Sequence, residues 1–571
     1  MDFRAFDRAR RQAGPLELDL VESYAKGSVS RREFVRRGTL IGLSLPFMSA
    51  IISACGSSGG SSSDTTAGGG GSAATSGGTS AGSGTGTPGG TIKVASQKPA
   101  GPLDPVAMQD LGTYGIIAQC FEYLTTLGDN DIAPGLAEKW TPNSDGSEWT
   151  FELRKGVKWQ DGTDFTSADV AATMDRMVDA GNSGLKGIIE KGAVDSSDPN
   201  VAVFTLVGPN GNFPYLVSVY NPQSCITPKD YASGTTLDAK PNGTGAFKLA
   251  KFDSATGATF ARYDDWWGGK TPLDGSEWLF FDDLGAMVTT TTAGEADAIV
   301  QFQVIGGDAL FNDSNFNVLA MQAATHRQVW MRCDTGQFTD KRVRQALAYT
   351  FDREQMIKTL FRDKADLGND HVIAPLYPFF FDGLTQRKKD IAKAKSLLQE
   401  AGVTGTLKAT LHFGDLQEIP QLAQIIQVGA KEAGFELELA GESLDTFYGA
   451  QWCPESPADP PCSGAAELGI VDYGHRATPD VYLNAALATK GIWNSSQYSS
   501  PEFDAAFKDY QSAVGVEAQT AACEKIETIL NEDVPVGLPY FYNYLSGFSK
   551  SFQGVRVSAL GQMYVDKASK T

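Results

Sequence analysis

From Thr91 onward the sequence predicts an α/β chain of two or three domains. Short runs of alternating apolar and polar residues mark half-buried strands, and apolar stripes of helical period behind aspartate caps mark helices. About 480 residues run from Thr91 to the last residue, Thr571, more than one ordinary core accommodates.

The elements run in order. Trp149-Thr-Phe-Glu-Leu-Arg154 alternates and reads as a strand, as do Val201-Ala-Val-Phe-Thr-Leu206 and Phe247-Lys-Leu-Ala-Lys-Phe252. In the second half Asp340 caps a predicted helix with Val343, Ala346, Leu347, Thr350 and Phe351 on one face. Asp352 caps the next, with Met356, Ile357 and Leu360 inward. Asp390 caps a third, with Ile391, Ala394, Leu397, Leu398 and Ala401 as its stripe and Gly402 as its stop. The strand-like run Leu407–Gly414 follows. No internal repeat is present.

The N-terminus reads as an export signal. Arg31 and Arg32 are followed by Glu33 and Phe34, the twin-arginine pattern. The apolar run 38–52 is too short for a span, which needs roughly 20 residues, and suits a signal-peptide core. It ends Ile52-Ser53-Ala54-Cys55-Gly56, which resembles a lipobox, so residues 1–54 are expected to be removed and Cys55 lipidated. Residues 55–90 are almost wholly Gly, Ser, Thr and Ala, with one charge, Asp64. Such a segment buries too little to offset its ordering entropy and reads as a disordered tether.

The chain carries net charge −20. Residues 1–54 hold nine Lys/Arg against six Asp/Glu, so the remainder is near −23. That argues against nucleic acid as a partner, whose binding rests on cations neutralising phosphate. Beyond the signal no apolar stretch reaches 18 residues. Of the six cysteines after Cys55, Cys453 and Cys462 close a loop with four prolines and are expected to be bridged. Cys120, Cys225, Cys333 and Cys523 have no spacing that assigns partners; disulfides and buried thiols both remain open.

Five segments, taken together, resemble one family. They are Pro134-Gly-Leu-Ala-Glu-Lys-Trp140 with the run Asp145–Trp159, Asp161-Gly162-Thr163 and Phe165-Thr-Ser-Ala-Asp-Val170; Gly243-Thr-Gly-Ala-Phe-Lys-Leu249; Arg262-Tyr-Asp-Asp-Trp-Trp-Gly-Gly-Lys270; Phe338–Asp352; and Tyr498-Ser-Ser-Pro-Glu-Phe-Asp504. In this order they resemble the family 5 solute-binding proteins of bacterial ABC transporters, which include dipeptide, oligopeptide and nickel receptors. The resemblance spans nearly all of 91–571. It implies a type II periplasmic-binding-protein-like fold: two hinged lobes plus an extra third domain. Lobe I would comprise 91–129, 243–324 and 537–571, the extra domain 130–242, and lobe II 325–536. The implied role is capture of a small solute and delivery to permease subunits in the membrane, with no bond made or broken and no cofactor. A monomer, lipid-anchored on the outer face of the cytoplasmic membrane, is expected.

Peptide-binding members of that family pair an acidic residue of the second lobe with the ligand's α-amino group. The matching stretch is Val471-Asp472-Tyr473-Gly474-His475-Arg476-Ala477-Thr478-Pro479-Asp480, and Asp472 is the matching acid. It departs from the peptide-binder form where Gly474–Thr478 replaces a shorter turn. Arg476 is suited to grip a carboxylate or phosphate. Asp472 and Arg476 would together read a zwitterion, or would pair with each other. Tyr473, Trp452 and Trp493 are candidate pocket walls, or core. A short peptide or amino-acid-derived solute is the expected ligand; a sugar, an opine-like compound or a nickel chelate are the alternatives. His326, His371, His412 and His475 are scattered, without metal-site spacing. An exported hydrolase would need a nucleophile elbow or a zinc motif, and neither G-x-S-x-G nor H-E-x-x-H occurs from Thr91 onward.

Overall fold

The computed structural model describes residues 86–128, 132–182, 184–454 and 460–571. Arg31, Arg32, the apolar run, Cys55 and the tether as far as residue 85 lie outside the described residues. The end of the tether is a correction to the expectation from composition. Thr87 N–H donates to the Lys570 carbonyl at 2.8 Å, and Gly90 N–H donates to Asp274 Oδ2 at 2.7 Å. Backbone hydrogen bonds to neighbours already in place need no apolar side chain, so a Gly-rich stretch can dock there.

Two seven-stranded sheets organise the body. The first has the order 316–321, 544–549, 298–302, 91–97, 275–281, 257–262, 247–253. Its centre is parallel: Thr91–Gln97 runs alongside both Gly275–Phe281 and Ala298–Phe302. Strand period two sorts its side chains. Ile92 and Val94 face one core, whereas Ala95 and Ile299 face another with Met287 and Phe316.

The second sheet has the order 365–367, 540–542, 326–331, 468–473, 407–414, 435–442, with Val536–Gly537 also pairing to His326–Met331. It too is covered on both faces. Val329, Met331, Leu468 and Ile470 pack on one side against the helices Lys341–Ala348, Arg353–Phe361, Ile391–Glu400 and Ile419–Ala433. Trp330, Val471 and Tyr473 pack on the other against Pro501–Ser512 and Val516–Asp533. Asp340, Asp352 and Asp390 cap their helices, accepting from the N–H groups of Arg342, Gln355 and Lys393. The first of these helices ends at Ala348, so Thr350 and Phe351 are buried beyond it and not on its stripe.

The chain passes between the sheets twice. It leaves the first after Met321 and enters the second at His326. Tyr540–Tyr542 still pairs in the second sheet, and Tyr544–Ser549 is back in the first. The return therefore falls at Asn543, later than the 537 boundary read from the sequence; the short strand offered no periodicity to place it.

Residues between these segments build a four-stranded antiparallel sheet, 137–142, 148–153, 201–205 and 194–195. Trp149, Phe151 and Leu153 point inward, as do Ala202 and Phe204. The helix Ser167–Asp179 opens on a Thr166/Asp169 capping box. This extra layer shares one continuous core with the first sheet, from Phe204 and Phe213 through to Ile92 and Trp278.

The extra layer also reaches the second lobe. Asn212 is 1% exposed; its Nδ2 donates to Asp480 Oδ2 at 2.9 Å and to Tyr510 OH at 2.8 Å. Gln519 Nε2 donates to Asn212 Oδ1 at 2.7 Å, and Gly211 N–H to the Gln511 carbonyl at 3.2 Å. Burial pushes the Asp480 carboxyl above its ordinary value, against the bonds from Thr478, Asn212 and Tyr510. Because Asn212 satisfies three buried partners, Asn212→Ala should cost about 1–3 kcal/mol of unfolding free energy. Urea titration reads this as a lower midpoint; an unchanged midpoint would show that the contact adds nothing net.

Candidate functional site

A cleft of about 650 Å³ opens between the two lobes, within the usual size of a small-molecule site. Strand direction positions it. Ala298–Phe302 delivers Gln301 to Ile305 into the cleft, and Leu407–Gly414 leads through the loop that delivers Gln417 and Glu418. Leu468–Tyr473 delivers Asp472 and the loop 474–478. Ligands of open α/β sheets collect at such carboxyl ends. The extra layer adds Tyr215, Leu216 and Tyr220.

Asp472 follows from strand period. It lies on the face of Leu468 and Ile470, at the end where that face runs out of helix cover. Directly across the antiparallel pair stands Arg327. Arg327 is 1% exposed and forked onto Glu418: Nε donates to Oε1 at 2.9 Å and Nη2 to Oε2 at 3.0 Å. Tyr540 OH donates to Glu418 Oε1 at 2.8 Å, and the Tyr542 ring lies 4.7 Å from the guanidinium. Burial opposes the charge on Arg327 most strongly, and Glu418, Tyr542, Tyr540 and Asp472 together more than offset it, so the group titrates well above its ordinary value. With Arg327 committed to Glu418, Asp472 accepts a short hydrogen bond from Tyr448 OH and has no cation within 4 Å among the described residues.

Arg476 also lines the cleft and is exposed. It donates to the His475 carbonyl at 2.9 Å and reaches no carboxylate among the described residues. The internal Asp472–Arg476 pair that the sequence left open is therefore not formed. Both side chains face the cleft with their charges uncommitted to each other.

Of the three aromatics, Trp493 lines the cleft, whereas Trp452 and Tyr473 stand behind it. Their rings form one nest: Trp452 lies 6.4 Å from Trp493 and 6.5 Å from Tyr473, and Tyr473 lies 6.3 Å from Trp493. Tyr473 points away because its neighbour Asp472 takes the cleft face. Trp452 ends a π-helical turn, Tyr448–Trp452, and a second such turn, Tyr482–Leu487, carries Asn484 and Ala485 into the cleft. Cys453 and Cys462 are joined by a disulfide with Cα atoms 4.4 Å apart, and both sulfurs touch the Ile492 carbonyl oxygen, next to Trp493. Cys120, Cys225 and Cys523 are buried and unbridged; Cys333 is half-buried and unbridged. Among the described residues no three His, Cys, Asp or Glu converge as metal ligands.

Sequence reasoning missed Arg327 and Glu418. Nothing in the run His326–Met331 marks Arg327 as buried, since its partner lies 91 positions away. The histidine contacts at the crossing between lobes were missed as well. Ala324 there is held by two histidines: its carbonyl accepts from His326 Nδ1 at 2.7 Å, and its N–H donates to His475 Nδ1 at 3.0 Å. Burial holds both imidazoles down to about 3. The groups facing them are Arg327, Arg476, Gln328, Tyr220, Tyr473, Tyr482 and Phe541.

Lowered values fix the direction of the pH dependence. Between pH 6.5 and about 3 the unfolded imidazoles bind protons that the folded ones refuse, so stability falls on acidification through that window. His326→Gln should remove up to about 1.4 kcal/mol per pH unit of that slope. Urea titrations at about pH 7 and about pH 5 measure it; equal slopes in variant and wild type would refute it.

The comparisons agree with this architecture. The dipeptide-binding protein of Escherichia coli (strain K12) is 28% identical over 346 residues, which are 55% of this chain and 64% of that protein, just under two thirds of its length. Heme-binding protein A of Haemophilus influenzae is 23% identical over 442 residues, 72% of this chain and 78% of that protein. The crystal structure of the ABC transporter substrate-binding protein CtaP from Listeria monocytogenes superposes with TM-score 0.73 at 20% identity, covering 84% of this chain and all of that one, and so shares the fold. The model of the bacterial extracellular solute-binding proteins, family 5 (middle region), matches residues 131–452, more than half of the chain. The chain therefore belongs to the family 5 bacterial extracellular solute-binding proteins, with their type II periplasmic-binding-protein fold, and is a binding protein and not an enzyme.

Proposed function

We propose that the protein captures a short peptide or amino-acid-derived solute in this cleft and hands it to an ABC permease for import. The observation that carries this is the pair of opposite charges in one cleft: Asp472 and Arg476 both line it, and neither is matched by the other. A zwitterion supplies the missing ammonium and the missing carboxylate, and charge-assisted hydrogen bonds of that kind are the strong ones. Trp493 and the apolar residues Phe302, Val304 and Leu360 suit a side chain between the charged ends. The dipeptide-binding relative supports the same ligand class.

In this reading closure of the lobes buries the solute and changes the surface that a permease meets. The lipid on Cys55 would hold the trap on the outer face of the cytoplasmic membrane after twin-arginine export. Cys55→Ser should then move the protein from the membrane fraction to the soluble one; continued sedimentation with membranes would count against the anchor.

Calorimetry with tri-alanine tests the ligand class. Asp472→Ala should weaken binding by about 2 kcal/mol or more, roughly thirtyfold, because it leaves the ligand ammonium unpaired. N-acetylation of the peptide should cost the wild type a similar factor and the variant little. Equal affinity of both proteins for the free peptide would remove Asp472 from the site.

A further inference from the structure

The loop after Asp472 carries a histidine that the zwitterion reading does not use. His475 is 3% exposed and lines the cleft. Its Nδ1 accepts from the Ala324 N–H at 3.0 Å. A nitrogen that accepts holds no proton, so the neutral ring carries its hydrogen on Nε2. That Nε2 is buried and has no protein partner. Burial first, and then the Arg476 charge, keep the ring neutral across ordinary pH. His475 therefore offers a fixed, uncharged N–H donor.

Two more buried polar atoms without protein partners belong to residues lining the same cleft: Asn543 Oδ1 and Tyr544 OH. They sit where the chain returns from the second sheet to the first. Ala324, which holds His475, sits on the outgoing crossing. The cleft lining that adjoins the two crossings thus includes a donor, an acceptor and a hydroxyl that the protein leaves unsatisfied. Buried polar groups are otherwise almost always paired, so such a group calls for a partner.

We propose that His475, Asn543 and Tyr544 form a polar subsite on the hinge side of the cleft that holds the backbone of one extended residue of the solute, His475 Nε2 donating to that residue's carbonyl oxygen and Asn543 Oδ1 accepting from its N–H. This deepens the peptide reading and rests on it. Asp472 and Arg476 would fix the charged ends; the hinge wall would read the backbone of the residue between them. An extended residue presents its own N–H and C=O on one side, one donor and one acceptor, the chemical complement of this wall.

Two substitutions separate ligand contact from structural support. His475→Asn places an oxygen where Nδ1 stood, keeps the Ala324 bond and removes the Nε2 donor. His475→Gln reaches the Nε2 position with an amide N–H and gives up the Ala324 bond. Binding is measured by calorimetry with tri-alanine, with its analogue in which the first of the two amides, which carries the N–H of the middle residue, is replaced by an ester, and with maltotriose. The subsite predicts that His475→Asn binds tri-alanine at least tenfold more weakly with an unchanged solute-free unfolding midpoint, while His475→Gln stays within threefold of wild type. It further predicts that the ester analogue loses affinity for wild type and loses much less for Asn543→Ala. Wild-type affinity in His475→Asn, or equal losses in both His475 variants with a lowered midpoint, would overturn it. If the wild type binds maltotriose and not tri-alanine, the peptide reading falls, and the His475 comparison on maltotriose still decides whether the hinge wall touches solute. Binding of neither would overturn both.

Discussion

The floor of the cleft depends on one buried ion pair, Arg327 with Glu418. It ties the central strand of the second sheet to the loop that opens the helix Ile419–Ala433, and Tyr540 and Tyr542 from the returning strand close over it. Two charges at 1% and 4% exposure are tolerable because they neutralise each other through a forked contact. That neutrality has a consequence for the site. Arg327 stands directly across the strand pair from Asp472, yet its side-chain hydrogen bonds go to Glu418 and Gln417. The same pairing that satisfies the core leaves Asp472 available.

A second constraint is the double crossing between sheets. Each lobe has two cores, one on each face of its sheet, so each is a packed body. The sheets are joined by residues 322–325 and Asn543. Ala324 is held by two neutral histidines, and the cleft wall beside the crossings carries unsatisfied polar atoms. On the opposite side Asn212 joins the extra layer to Asp480, Tyr510 and Gln519. Cleft lining, the hydrogen bond to the crossing at Ala324 and the contact with Asn212 therefore share the short stretch 472–480.

The disulfide shows how a loop of low apolar content is held near the site. Closing so short a loop is worth about 3 kcal/mol in the chain-entropy account. Its sulfurs rest on the carbonyl of Ile492, and Trp493 follows at the cleft wall. The brace thus acts on the position of an aromatic wall as well as on the stability of the loop.

Much of the fold was legible in the sequence because local rules agree with the tertiary answer. Asp340, Asp352 and Asp390 cap where their spacing to the apolar stripes says they should, and Trp149, Phe151 and Leu153 alternate inward as written. Asp472 was legible through a motif and lines the cleft. Strand period then decided its neighbours: with Asp472 turned to the cleft, Tyr473 turns to the core. What only the tertiary structure decided is pairing over long separations. Arg327 finds Glu418, Asn212 finds Asp480, and His475 finds Ala324, each across a stretch whose closure depends on the whole fold. Residue types alone determine which groups carry charge or hydrogen-bonding capacity. Which of them are consumed within the protein and which are left for a ligand depends on the partners that packing brings within about 3 Å.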